Sequence, residues 1–318
     1  MQAIVQDSYN GIDALTFVTM PTPKLLNPLA VRVETHYTPV MPYDVLTETG
    51  QLKQRRPAKL PIVVGYGFGG IVREVGQLRN ARLRNQPVIG IQLTGSHQEQ
   101  LLSTLPPLLL PVPQGVSLAA ATTVIGGADA AYFALKKSQL TAGETVLITG
   151  ATGSVGTYLV QLARLAGCHV IAVGHSSRHS LLIDLGAEQV LDYDRPLEEQ
   201  LTTTNVDQLI DLAGNASLLA HLSARLGPVN ILSLALPDYQ PAFPEQSFTF
   251  ASGAIMPGDY RWLLDQLATG TLTAVIQERL PFTAVKTAQH RLMTAHSAGR
   301  ILLTYQQEAN NYVHEPND

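Results

Sequence analysis

Cysteine and tryptophan are nearly missing from this chain of 318 residues, which holds only Cys168 and Trp262. A lone cysteine excludes a disulfide framework within one chain and suits a reducing compartment, so the expected location is cytoplasmic. Charge is also sparse. Asp, Glu, Lys and Arg make up 14% of the residues, with a net charge of −4, which gives no general reason to expect nucleic acid as a partner. Long hydrophobic runs are missing too. The most apolar charge-free stretch, Leu101–Ala128, is interrupted by Pro106, Pro107, Pro111 and Pro113 and does not read as a membrane span. Met1–Val5 leads directly into mixed polar sequence, so no secretory signal pattern is expected. Neither an internal repeat nor a low-complexity tract occurs. The partner expected on these grounds is a small-molecule substrate, with no nucleic acid and no membrane.

What remains is 45% apolar, the composition of a globular enzyme, in a chain long enough for two domains. Its organising stretch is Thr145–Gly174. Thr145–Thr149 is a short apolar, β-branched run that reads as a buried strand. The turn Gly150-Ala151-Thr152-Gly153-Ser154-Val155-Gly156 follows, then apolar residues at helical spacing (Val155, Leu159, Leu162, Ala163, Ala166). Gly167 closes that helix, and His169–Val173 reads as a second strand. Strand, glycine turn, helix, strand is a βαβ unit that places a pyrophosphate on a helix N-terminus. Gly153 and Gly156 fit the roles of close backbone approach and helix packing, while Ala151 takes the place of the first glycine. The expected cofactor contacts on this turn are Ala151, Thr152, Gly153, Ser154, Val155 and Gly156.

Before this unit come short strand-like runs with frequent Pro and Gly, including the cluster Gly65, Gly67, Gly69 and Gly70. They suggest a compact β-rich domain. From Ser117 a helix is expected over Leu118–Leu135, and strands then alternate with helices, the pattern of a doubly wound parallel sheet. The C-terminal stretch needs a packing partner, and the β-rich domain is the natural host. From Glu308 the tail is polar and is expected to fray. The tight pair Ser96-His97 reads as a polar turn.

A β-rich N-terminal domain followed by a mid-chain dinucleotide fold resembles the medium-chain dehydrogenase/reductase superfamily, and within it the zinc-independent quinone oxidoreductase (zeta-crystallin-like) branch. The residues that carry the likeness are Ala142–Ile148, Gly150–Gly156, Leu185-Gly186-Ala187-Glu188 with Asp192-Tyr193, Val206-Asp207 leading to Asp211, and Gly299-Arg300-Ile301-Leu302-Leu303. The resemblance implies an α/β fold: a Rossmann doubly wound parallel sheet (residues 116–255) inserted in a β-rich GroES-like catalytic domain (residues 1–115 and 256–318). Homodimers are common in such a family. Zinc-dependent relatives carry a cysteine and a Gly-His-Glu segment for the catalytic metal and four closely spaced cysteines for a structural one. This chain has Met41 and Gly65-Tyr66-Gly67 at the former places and no cysteine in its first domain, so no metal is expected.

An NAD site normally carries Asp or Glu about twenty residues past the turn, on the ribose 2′-hydroxyl. Here the strand ends in Val173-Gly174-His175-Ser176-Ser177-Arg178. Serine hydroxyls and an arginine suit a 2′-phosphate, and the resemblance adds Tyr193, so the expected cofactor is NADPH. The resemblance also places Ala213, Gly214, Leu234 and Ala235 beside the nicotinamide ring. Ala130 stands where relatives often carry a cofactor-touching threonine.

The implied reaction is hydride transfer to a quinone or an α,β-unsaturated carbonyl, with Tyr43 and Tyr66 as candidate substrate-polarising residues. In the family's Asn-Pro-x-Asp segment Met41 replaces the asparagine, and a thioether bonds a carbonyl weakly. Arg84–Val88 replaces the usual Val-Gly-Asp-Arg-Val. The alternative on the same fold is an NADPH-binding sensor or structural protein with little turnover. A short-chain dehydrogenase is disfavoured, because the only lysine after the turn, Lys286, has no tyrosine four residues before it.

Overall fold

Alternation of apolar and polar residues shapes the first third of the chain into short strands. The computed structural model describes residues 1–54, 57, 59–104, 108–201, 205–294 and 298–305, and the tail expected to fray from Glu308 lies outside the described residues. The first elements are β1 (Gln2–Gln6), β2 (Thr16–Thr19), β3 (Val31–Pro39), α1 (Pro42–Glu48), β4 (Ile62–Val63), β5 (Gly67–Val75), β6 (Pro87–Ile91), β7 (Gln100–Ser103) and β8 (Leu109–Pro111). Along β3, Val31, Val33 and Thr35 are buried while the residues between them are half-buried, the period of two that a one-sided strand requires. Val31 and Val33 join Phe68, Val72, Val88, Leu101 and Leu109 in one apolar core.

The middle of the chain changes period. It runs α2 (Leu118–Thr122), α3 (Asp129–Ser138), β9 (Thr145–Thr149), α4 (Ser154–Leu165), β10 (His169–Gly174), α5 (His179–Asp184), β11 (Gln189–Asp192), α6 (Leu197–Gln200), β12 (Gln208–Asp211), α7 (Ala216–Ser223), β13 (Asn230–Ser233), β14 (Ser247–Phe250) and α8 (Pro257–Ala268). The chain closes with β15 (Ile276–Pro281), α9 (Val285–Thr294) and β16 (Arg300–Thr304).

Two compact units result. One comprises Met1–Pro111, Glu278–Met293 and the described part of Ile301–Asp318; the other comprises Val112–Gln277 and Thr294–Arg300. The first holds a small sheet, β2-β1-β4, and a seven-stranded sheet ordered β15-β16-β3-β5-β6-β8 with β7 paired to β3. A second core in this unit gathers Ile4, Leu15, Val40, Val64, Val285, Ala288, Ile301 and Leu303, so the closing helix and strand do pack on the β-rich unit.

The second unit is built on a six-stranded sheet ordered β11-β10-β9-β12-β13-β14, with parallel pairing throughout. Counted from β9, that order is 3-2-1-4-5-6, with the topological switch between β9 and β12. In α4, Tyr158, Leu159, Val160, Leu162 and Ala163 are buried. Each fully buried Leu or Val there contributes about 1.5–3 kcal/mol.

Three sequence expectations change. The boundary expected at residue 256 falls after Gln277, because α8 bonds to the dinucleotide unit: Tyr260 Oη donates to Asp129 (3.1 Å) and Lys136 Nζ to Asp259 (2.9 Å). The single helix expected over Leu118–Leu135 is broken at Ile125 (ψ 119°) and Gly126 (φ 70°), a left-handed step that glycine tolerates. Finally, Ser247–Phe250 is a sixth parallel strand, paired to β13.

Candidate dinucleotide site

The glycine turn sits at the C-terminal end of β9, beside the switch point. Gly150 has φ of +62°, and a Cβ on it would lie 3.0 Å from Ala213 N and Leu212 C. The turn glycine is therefore Gly150, one residue before the place that the sequence pattern gives to Ala151. Ala151 is fully buried, with its N–H directed to Val173 O at 3.3 Å. A Cβ on Gly156 would overlap the Gly150 carbonyl and lie 2.6 Å from Ala151 Cα, so only glycine lets α4 start this close to the turn. Gly153 precedes α4 and provides no side-chain cap. The first amides of that helix have no acceptor within it and carry its positive dipole end. Ser154 Oγ is buried without a hydrogen-bond partner.

Loops on the other side of the switch are organised by one carboxylate. Asp211, at the end of β12, is 1% exposed. It accepts hydrogen bonds from Thr149 Oγ1 (2.7 Å), Ser233 Oγ (2.7 Å), Ala213 N and Gly214 N (both 3.2 Å). Ser233 Oγ in turn accepts from Ala235 N (3.2 Å) and Leu236 N (2.8 Å). One side chain thus fixes both segments expected at the nicotinamide ring, Ala213-Gly214 and Leu234-Ala235. Asp211 itself is the residue that sequence reasoning left without a role.

An open cavity of about 610 Å³ lies over these strand ends, lined by Gly150, Thr152, Val173, Tyr193, Arg195, Pro196, Leu197, Ala213, Asn215, Ser217, Leu218 and His221. No described residue in this lining is a carboxylate. Tyr193 lines it, and its phenol is shifted upward by burial and then by the charges of Asp194 and Asp192, which keeps the hydroxyl a donor. Ser176, Ser177 and Arg178 form a 3₁₀ turn directly after β10, outside the cavity lining. Ser177 Oγ bonds His175 Nδ1 at 2.8 Å, and Arg178 Nε is buried without a hydrogen-bond partner. The strand end lacks a carboxylate of its own, but the loop after β11 delivers one: Asp194 Oδ2 lies 2.9 Å from His175 Nε2. Arg195 and His221 reach the cavity from the loop after β11 and from α7, which spacing along the chain does not reveal.

In the β-rich unit Tyr43 and Tyr66 come together, with ring centroids 5.2 Å apart and ring planes at 58°. Both are half-buried. Met41 precedes α1, is 4% exposed, and donates its N–H to Asp44 Oδ2 at 3.0 Å. Ser96 and His97 are not an exposed turn. Both are fully buried against Gly65, where a Cβ would lie 2.5 Å from His97 Nδ1 and 2.6 Å from Ser96 Oγ. Burial pushes the His97 imidazole down to about 3, so the ring is neutral. Among the described residues no group of three His, Cys, Asp or Glu could hold a metal ion.

Comparison with known proteins agrees with this architecture. Residues 154–250 match the family described as zinc-binding dehydrogenase. The quinone-oxidoreductase homolog of spinach chloroplasts is 26% identical over 95% of this chain and 98% of its own length. The fold is that of the quinone oxidoreductase from Coxiella burnetii (TM-score 0.84, 23% identity, covering 96% of this chain and 99% of that one). It is also that of the mycobacterial protein Rv1454c, solved in complex with NADPH (TM-score 0.80, 22% identity, covering 96% and 100%). The class that fold and site define is a nicotinamide-dependent oxidoreductase. These likenesses point to the quinone-oxidoreductase-like branch of the medium-chain dehydrogenase/reductase superfamily, which the chain resembles in fold and over most of its length.

Proposed function

We propose that this protein is a zinc-independent, NADPH-dependent reductase that delivers hydride to a quinone or an α,β-unsaturated carbonyl. The observation that carries the cofactor choice is the cavity at the switch point, whose described lining holds Tyr193, Arg195 and His221 and no carboxylate. The residues fit the group. Amides at the start of α4 suit the pyrophosphate, and the unpartnered Ser154 Oγ and Arg178 Nε are polar atoms placed beside the turn and beyond β10. Tyr193 and Arg195, with Arg178, Ser176 and Ser177 on the adjoining turn, would hold the 2′-phosphate by charge-assisted bonds.

When bound, NADPH supplies the hydride, and the chain's own part is orientation and charge stabilisation. Ala213, Gly214, Leu234 and Ala235, held by Asp211 and Ser233, would border the ring. Tyr43 and Tyr66 are the hydroxyls proposed to donate to the oxyanion that develops on the acceptor. The same site without appreciable turnover, as a sensor of NADPH, is the alternative favoured by Met41, whose thioether is a weak partner for a carbonyl.

A second cofactor reading has its own observation. Asp194, beside His175, could accept from a ribose 2′-hydroxyl and favour NADH. Fluorescence titration separates the two. NADPH is expected to bind at least about tenfold more tightly than NADH, and Arg195→Ala to lose about tenfold for NADPH only, one charge-assisted contact. Equal affinities, or a preference for NADH removed by Asp194→Asn, would reverse the assignment. A panel of quinones and enones with NADPH then reads turnover, and no stimulated oxidation across the panel leaves the sensor.

A further inference from the structure

Two loops of the β-rich unit carry an unusual surface. Leu26 is 84% exposed, Leu78 71% and Leu29 43%. Hydrogen bonds bring them side by side: Leu78 N to Pro28 O (3.0 Å), Gly76 N to Ala30 O (2.9 Å) and Arg79 Nη1 to Leu29 O (3.2 Å). Local bonds fix both turns. Asn27 Oδ1 accepts from Leu29 N at 2.8 Å, and Asn80 Oδ1 from Arg82 N at 3.0 Å. The leucines are therefore presented to solvent by ordered turns, as an apolar knob rather than scattered side chains.

The charge around that knob has one sign. Lys24, Arg79, Arg82 and Arg84 lie on the two loops, while the chain has no Asp or Glu between Asp13 and Glu34, nor between Glu74 and Glu99. The bracketing Glu74 and Glu34 are paired with Arg32 and Arg73. Lys24, Arg82 and Arg84 are exposed and form no ion pair with a described residue. A cationic rim of this kind is unexpected in a chain whose net charge is −4.

We infer that these paired loops dock the protein on an anionic lipid surface, with Leu26, Leu29 and Leu78 entering the headgroup boundary and the lysine and arginines facing lipid phosphates. Apolar insertion plus a basic rim is the two-signal combination that peripheral membrane binding needs. An acidic protein partner fits less well. Neither loop, residues 20–30 or 76–86, contains an aromatic residue, and protein hot spots favour Trp, Tyr and Arg over Leu. Such a surface needs no spanning segment, and no described helix is long and apolar enough to cross a membrane.

Position in the unit leaves the candidate chemistry clear of the bilayer. The loops lie where β3 begins and β5 ends, with Val31 opposite Val75. Tyr43 follows the end of β3 and Tyr66 precedes the start of β5. The nine residues of β3 put about 30 Å between the two ends.

The test is flotation of the full chain with phosphatidylcholine vesicles, with and without phosphatidylserine. Flotation with the serine-containing vesicles only, released by high salt, is expected. Leu26→Ser with Leu78→Ser, and separately Arg82→Glu with Arg84→Glu, should each lower the bound fraction at least about tenfold, with unchanged melting temperatures. The charge pair keeps the test decisive if the leucine pair melts early. Failure of the wild type to float with anionic vesicles would overturn the proposal. So would flotation that ignores both substitutions; and retention on polyglutamate without vesicle binding would assign the loops to an acidic protein.

Discussion

Two buried carboxylates, one in each unit, show opposite ways of placing an acid inside a protein. Asp211 accepts four hydrogen bonds, two from hydroxyls and two from backbone amides. Glu48, fully buried in the β-rich unit, accepts one from Gln289 Nε2 at 2.8 Å, and its Oε2 has no partner. Burial pushes the Glu48 carboxyl up to about 8; the Gln289 bond opposes the shift, and Asp44 adds to it. The first acid is an organiser whose donors come from two strands and a loop. The second is an acid that folding keeps protonated at neutral pH. Removing them should therefore have opposite signs.

The largest effect belongs to Asp211→Ala. It would leave the buried Thr149 and Ser233 hydroxyls without this acceptor and take one acceptor from the amides of Ala213 and Gly214, at a cost of about 3–4 kcal/mol. Asp211→Asn keeps one oxygen and should cost less. Denaturant unfolding measures both, and a loss below about 1 kcal/mol for the alanine variant would end the organiser role. Because the same carboxylate holds the loops at Ala213 and Ala235, the asparagine variant should also bind NADPH more weakly while remaining folded.

Glu48→Gln should act the other way. The folded-state value of about 8 lies above the ordinary 4.5, so the folded chain holds an extra proton. The stability this allows is complete below about pH 4.5, falls by about 1.4 kcal/mol per pH unit as pH rises toward 8, and is gone above. A neutral glutamine has no such slope. Unfolding free energies from urea titration should nearly coincide for the two proteins at pH 5 and separate by about 2–4 kcal/mol in favour of Glu48→Gln at pH 8. Parallel pH profiles would show that Glu48 is ionised in the folded chain.

These two acids also mark how far the sequence could be read. The β9-turn-α4-β10 unit was legible because its information is local: β-branched runs, glycines at fixed offsets and a helical apolar face all lie within thirty residues. The doubly wound class followed from alternation alone. What escaped was set by distant neighbours. Gly150, not Ala151, takes the left-handed turn, where Leu212 and Ala213 crowd it from the loop after β12. Arg195 and His221 meet in one cavity from separate elements. Ser96-His97 reads as a polar turn, yet it is buried because Gly65 leaves room for it. The break at Ile125–Gly126 lies where Thr122–Gly127, four β-branched residues and two glycines, weakens helix propensity between two alanine-rich runs that read as one helix.

A third acid, the half-buried Asp129, lies between the two extremes and gives the smallest effect. Burial raises its carboxyl, and the shift is opposed by the Gly126 amide, the Tyr260 hydroxyl, the Ala130 amide and the charge of Arg300. Tyr260→Phe removes one of these donors and keeps the ring, so it should cost about 1 kcal/mol, the net worth of one hydrogen bond, and raise the Asp129 carboxyl further. Asp129→Asn combined with Tyr260→Phe should cost less than the sum of the singles if the contact is direct. The lone tryptophan supplies a local reading: Trp262, two residues on in α8, stacks on Tyr132 of α3 with ring centroids 5.0 Å apart. Loss of the Tyr260 bond should loosen this α3–α8 contact and shift the Trp262 emission before global unfolding. Additive costs together with unchanged emission would place Asp129 with Asp211, as an acid whose remaining donors suffice.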